Sequence, residues 1–103
     1  MKVKWSPLAK SALRETAKYI RKEFGLNVKE DFLHEVRHTS HLLEKTPQLG
    51  QPEEYLADLP TMYRSIVVYR LSKIIYYVAD NHIEVVDFWD TRREPRSQAA
   101  RVR

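Results

Sequence analysis

The sequence of 103 residues contains no cysteine, which excludes disulfides, thiolate nucleophiles and cysteine-ligated metal sites. That absence fits a reducing compartment, and a cytoplasmic location is expected. Glycine is almost as scarce. Gly25 and Gly50 are the only two, so glycine-rich phosphate loops and nucleophile elbows have nothing to form from. Long apolar runs are also missing. The longest, such as Ile74 to Ala79, fall far short of a bilayer's thickness, so no membrane partner is expected. The opening Met1-Lys2-Val3-Lys4-Trp5-Ser6-Pro7 has neither the apolar stretch nor the cleavage site of a secretory signal.

What is present describes one globular domain. Apolar residues make up 43% and charged residues 31%, enough for one modest core between two layers. Net charge is +4, and its placement is uneven. Residues 91–103 carry Arg92, Arg93, Arg96, Arg101 and Arg103 against Glu94 alone, while the preceding ninety hold 13 basic and 13 acidic side chains. A neutral body with an arginine-rich end implies an acidic partner, either nucleic-acid phosphate or a carboxylate-rich protein segment.

Periodicity supplies the elements. Lys2 to Trp5 alternates polar and apolar as a short strand. Ser6 is an N-cap with Pro7 at the first helical position, and Ala9, Leu13, Ala17, Ile20 and Phe24 then recur at threes and fours. Gly25 closes this helix. Asn27 with Glu30 reads as a capping box that opens a second helix on the stripe Val28, Phe32, Val36, Thr39 and Leu43, ending near Pro47. A link of about three residues folds the two helices into a hairpin. Residues 46–62, punctuated by Pro47, Gly50, Pro52 and Pro60, read as an irregular loop with a single turn within 53–58. Three runs rich in β-branched and aromatic residues follow: Tyr63–Arg70, Lys73–Asp80 and Ile83–Trp89. Their short connections allow only an antiparallel meander. The expected fold is therefore α+β, of order β-α-α-β-β-β, with the helices on one face of the sheet. Residues 1–95 form the domain and 96–103 a basic tail, in which Arg101 and Arg103 are expected to be mobile and without a site role.

At this point the chain resembles the RelE/ParE superfamily, the toxins of bacterial type II toxin–antitoxin systems. Trp5-Ser6-Pro7-Leu8-Ala9 is similar to the family's first strand running into its first helix. Thr46-Pro47-Gln48-Leu49-Gly50-Gln51-Pro52 matches the stretch after the second helix, and Lys73-Ile74-Ile75-Tyr76-Tyr77-Val78 the tyrosine-rich strand. Val85 to Pro95, with Thr91-Arg92-Arg93-Glu94-Pro95 at its end, resembles the terminal signature. The resemblance covers residues 3 to about 95. It implies a cytoplasmic toxin neutralised by a cognate antitoxin, with no cofactor and no metal.

The superfamily poisons cells in two ways. RelE-like members cut messenger RNA on the ribosome, without metal, using basic residues and a tail tyrosine. By motif the basic positions fall on Lys73 and Arg93, with Arg64 as a further candidate. The tyrosine position falls near Ala99, and no tyrosine or histidine follows His82 to take its place. ParE-like (plasmid-stabilisation) members instead inhibit DNA gyrase by protein–protein contact. The opening and closing motifs look more like this branch, so a binding toxin is expected. The alternative is a ribonuclease with Arg64, Lys73, Arg93 and His82 as its catalytic set.

Each candidate also has a plain structural role open to it. Arg92, Arg93 and Arg96 are read as contacts for an antitoxin or target, joined by Arg64 and Arg70 at the sheet's end. Tyr63, Tyr69, Tyr76 and Tyr77 offer faces for stacking bases, but packing is the expected role, with Tyr76 and Tyr77 on opposite faces. His34, His38 and His41 share one helix face and are expected to be solvated, since a firm zinc site needs more ligands. Asp87, inside an apolar strand, either faces solvent or pairs with an inward arginine. Direct nucleic-acid binding is left open.

Overall fold

The computed structural model describes residues 1–103. Strand β1 (Lys2–Trp5) passes straight into helix α1 (Pro7–Phe24) at Ser6. The Ser6 hydroxyl oxygen accepts from the Ala9 N–H at 3.1 Å, and its O–H donates to the Val86 carbonyl at 3.0 Å. One side chain thus caps the helix and ties it to a strand 80 residues away; losing such a cap costs about 1 kcal/mol.

Helix α2 (Leu26–Lys45) begins one residue after α1 ends, so Gly25 is the whole link. Here the structure corrects the expected three-residue connection: Asn27 is exposed within the helix and caps nothing. Gly25 has φ 94° and ψ 174°, a conformation essentially confined to glycine. Its N–H donates to the Arg21 carbonyl and its own carbonyl accepts from Lys29, so it serves both helix ends.

Beyond α2 come β2 (Gln51–Pro52), a single 3₁₀ turn at Glu54–Leu56, then β3 (Arg64–Val68), β4 (Ser72–Val78) and β5 (His82–Asp90). The last three form the expected antiparallel meander. The sheet order is β1-β5-β4-β3-β2, and β1 lies parallel to β5, so the sheet is mixed. On one face the stripes Ala9–Ala17–Ile20 and Phe32–Val36–Leu43 close over Val68, Ile74, Tyr76, Ile83, Val85 and Phe88. No helix is long and apolar enough to cross a membrane.

A β-bulge decides the rest. Ile75 pairs with Asp87 and Tyr76 with Val85, leaving Val86 as an extra residue in β5. Strict alternation would put Ile83, Val85, Asp87 and Trp89 on one face. The bulge resets it, so Ile83, Val85 and Phe88 face the helical hairpin while Asp87 and Trp89 face away from it. On that second face lies a smaller core of Leu56, Ile75, Trp89 and Ala99.

Ala99 belongs to helix α3 (Pro95–Val102), where the sequence led us to expect a mobile tail. The correction has a local cause. The Glu94 carboxylate accepts from the Arg96 N–H at 2.9 Å and Pro95 takes the first helical position, repeating the Ser6–Pro7 device. Apolar Ala99 and Val102, three residues apart, then pack on the second face.

Candidate functional site

Asp87 fastens α3. It is fully buried and accepts four hydrogen bonds: from Phe88 N at 2.8 Å, Trp89 Nε1 at 2.8 Å, and Arg101 Nε and Nη2 at 3.0 and 2.9 Å. An uncompensated carboxylate there would be costly, and the bidentate guanidinium provides the compensation. Of the two readings of Asp87, the inward acid paired with an arginine is the observed one. Arg101, expected to be mobile, is therefore a structural clamp. Arg103 is likewise held, with both terminal nitrogens within 2.8 Å of the Asp58 carboxylate, though this pair is exposed and contributes little.

Between α1, the end of β5 and α3 runs a groove of about 370 Å³, bordered by Glu15, Tyr19, Asp90, Arg92, Arg93 and Arg101. Gln98, buried on α3, accepts from Asp90 N at 2.8 Å and donates to Asp90 O at 2.9 Å, which holds the strand end rigid. Arg92 forks onto the Asp90 carboxylate at 3.1 Å twice and lies 5.3 Å from the centre of the Tyr19 ring. Burial pushes the Asp90 carboxyl up, but hydrogen bonds from Arg92 and the nearby Arg93 charge outweigh it and hold it below its ordinary value. Arg93 remains 67% exposed at 3.9 Å from Asp90, and Arg96 is exposed without an ion-pair partner. Arg93 and Arg96 are therefore the least engaged cations here, while Arg92, though its side chain is 46% exposed, is already paired with Asp90.

The other basic candidates are dispersed. Arg64 lies on the helix-facing side of β3 and donates to the Gly50 carbonyl at 2.9 Å. Lys73 points to the opposite side, where Nζ donates to the buried Glu53 carboxylate at 2.8 Å and sits 5.8 Å from the Trp89 ring centre. Burial raises the Glu53 pKa, yet the hydrogen bonds of Lys73, the Tyr55 N–H and Ser65 bring it below its ordinary value. Arg70 is exposed in the β3–β4 turn, in left-handed conformation like its neighbour Tyr69, whose N–H donates to Glu35. His82 starts β5, eight residues and about 26 Å of strand from Asp90; its ring meets Asn81 and Glu84. Arg64, Lys73, Arg93 and His82 do not converge on one point.

The tyrosines pack. Tyr76 is fully buried, its hydroxyl donating to the Pro47 carbonyl and accepting from Gly50 N, each at 2.8 Å. Burial pushes its pKa up. Gly50 is required at this contact, since an added Cβ would come within 2.8 Å of both the Ser65 carbonyl and the Tyr76 hydroxyl. Tyr77, on the other face, stacks edge-to-face with Tyr63 at 5.8 Å. His34, His38 and His41 stand exposed on α2. Sequence reasoning missed Arg101 and Tyr19. The first was detectable, because an acid inside an apolar strand calls for a cation and Glu94-Pro95 is a helix start; the second was not, because only tertiary contact brings α1 to Arg92.

The comparisons agree with this architecture. A solved structure described as a chromosomal ParDE toxin–antitoxin system from P. aeruginosa superposes with a TM-score of 0.71 at 14% identity, covering 87% of this chain and 95% of that one. A YoeB dimer structure from Staphylococcus aureus gives 0.56 at 21% identity, covering 84% and 92%. Identities this low speak for the fold alone. Among curated proteins none matches the sequence significantly. The family model for the ParE toxin of the type II toxin–antitoxin system parDE matches residues 3–95, and the chain belongs to that family.

Proposed function

We propose that this toxin acts by protein–protein contact, with DNA gyrase as its target, and that an acidic, partly disordered antitoxin segment neutralises it. The observation that carries the reading is the state of Lys73. Cleavage of RNA without a metal needs an uncommitted cation at the scissile phosphate and a group to move a proton. Lys73 is committed to buried Glu53, and Arg64 lies on the other side of the sheet. No tyrosine follows Tyr77, and Tyr76 is sealed in the core. The free cations Arg93 and Arg96 suit carboxylates of a segment that folds on binding.

The test is a supercoiling assay with purified toxin, gyrase and relaxed plasmid, run beside a ribosome-dependent messenger cleavage assay. Loss of supercoiling with intact messenger is expected. Messenger cleavage that Lys73→Ala abolishes, with gyrase unaffected, would replace this reading with the ribonuclease one.

A further inference from the structure

We propose that one exposed flank of α1, continued by β1, binds duplex DNA through its phosphate backbone. Residues 1–24, through the end of α1, hold Lys2, Lys4, Lys10, Arg14, Lys18, Arg21 and Lys22 against Glu15 and Glu23, a net of +5 in a chain whose total is +4. The other 79 residues hold 11 basic and 12 acidic side chains, so the protein is polarised along its fold.

The fold gathers these charges into a line. Lys10, Arg14, Lys18 and Arg21 follow one another at intervals of four, four and three residues. At 100° per residue they share an arc of about 80° and span about 16 Å of helix. All four are exposed, and none of the seven basic residues takes part in an ion pair. Glu15 lies off this arc, in the groove beside Arg92. At the start of α1, Lys4 and Lys10 border a second groove together with Arg37, where Glu44 is the one carboxylate.

Stability explains only the end of the line, where Arg21 and Lys22 in the last turn suit the helix dipole. Lys10–Arg14, Arg14–Lys18 and Lys18–Lys22 are like-charge pairs at i,i+4, each of which weakens a helix. The first turn of α1 carries no acidic residue to favour the helix dipole. A surface that serves only solubility mixes both signs, as α2 does with Glu30, Asp31, Arg37, Glu44 and Lys45.

The chemistry selects the partner. A protein interface is anchored by buried aromatic or aliphatic side chains, and this stripe has none: Tyr19 lies around the helix toward Arg92. The lack of aromatic faces also removes the stacking platform that unpaired bases use. Cations alone, evenly spaced and unpaired, match the backbone of a duplex and imply binding without sequence preference. This proposal does not rest on gyrase being the target.

With four contacts from α1 and up to two from Lys2 and Lys4, log affinity should fall against log salt with a slope of about −3.6 to −5.4. That is a loss of about 10²- to 10³-fold between 50 and 200 mM salt. The measurement is fluorescence anisotropy of a labelled duplex of about 30 base pairs, titrated with the full-length toxin. The triple variant Lys10→Gln/Arg14→Gln/Lys18→Gln should flatten the slope by about 2.7 without lowering its melting temperature or its antitoxin affinity. Arg93→Gln/Arg96→Gln should leave DNA binding nearly unchanged while weakening the antitoxin. The proposal fails if the duplex does not bind at 50 mM salt, or if the triple variant binds it as wild type does. Tighter binding of a single strand of equal length, of an acidic peptide or of anionic vesicles would equally overturn it.

Discussion

Replacing Arg101 by methionine separates two views of the C-terminus. Were this stretch a solvated tail, losing one of its arginines would change stability by less than about 0.5 kcal/mol. The geometry requires much more. Methionine keeps the stem but removes both guanidinium bonds to Asp87, leaving a carboxylate at 0% exposure with only the Phe88 and Trp89 N–H groups. Breaking a buried pair from one side costs about 3–5 kcal/mol. The Arg101 side chain keeps 34% of its surface in water, so the lower end, about 3 kcal/mol, is expected. For a domain of this size that lowers Tm by about 12–24 °C. Urea titrations followed by far-UV circular dichroism and tryptophan fluorescence would measure it, since Trp89 lies under α3 and reports undocking. Adding Asp87→Asn should recover part of the loss by removing the stranded charge while keeping an acceptor for the two N–H groups. A cost below about 1 kcal/mol, or strict additivity of the two substitutions, would refute the clamp.

Gly25→Ala should cost about 1–3 kcal/mol through backbone strain alone, because φ is 94° and no atom lies within 4 Å of the added Cβ; a neutral result in thermal melts would mean that the hairpin link relaxes. The Glu53–Lys73 pair predicts a pH signature. Glu53 titrates below its ordinary 4.5, so its contribution is fully present above that value and is lost as pH falls through the lower folded one. The stability advantage of wild type over Lys73→Met should therefore shrink as pH falls below about 4.5, and an advantage that grows on acidification would contradict the assignment. Charge reversal at Arg93 and Arg96 should weaken antitoxin binding by calorimetry more at 50 mM than at 500 mM salt, because exposed charges are screened. A loss independent of salt would place the antitoxin's acidic segment elsewhere.

Most of the architecture was legible because its signals are local. Ser6-Pro7, the two apolar stripes and the three β-rich runs each act within a few residues, and each appears in the structure as the element it announces. The link at Gly25 was misread because Asn27 and Glu30 imitate a cap, whereas the backbone at Gly25 already satisfies both helix ends. Helix α3 was overlooked because its net charge outweighed its start signal at Glu94-Pro95. The positive charge of residues 1–24 is equally local, but it averages to zero over the first ninety residues.

The sequence by itself determined the element types, the hairpin of helices, the meander and the excess of positive charge, because propensity, periodicity and turn chemistry are properties of neighbouring residues. Only the tertiary structure decided the parallel pairing of β1 with β5, which no local turn encodes, and the bulge at Val86 that turns Asp87 and Trp89 toward α3. It also decided how far each arginine is engaged. Arg92, Arg101 and Arg103 hydrogen-bond carboxylates on Asp90, Asp87 and Asp58, at sequence distances from 2 to 45 residues, while Arg93 only approaches Asp90 at 3.9 Å and Arg96 and the line along α1 pair with none. Charge is counted along the chain, but it is neutralised in space.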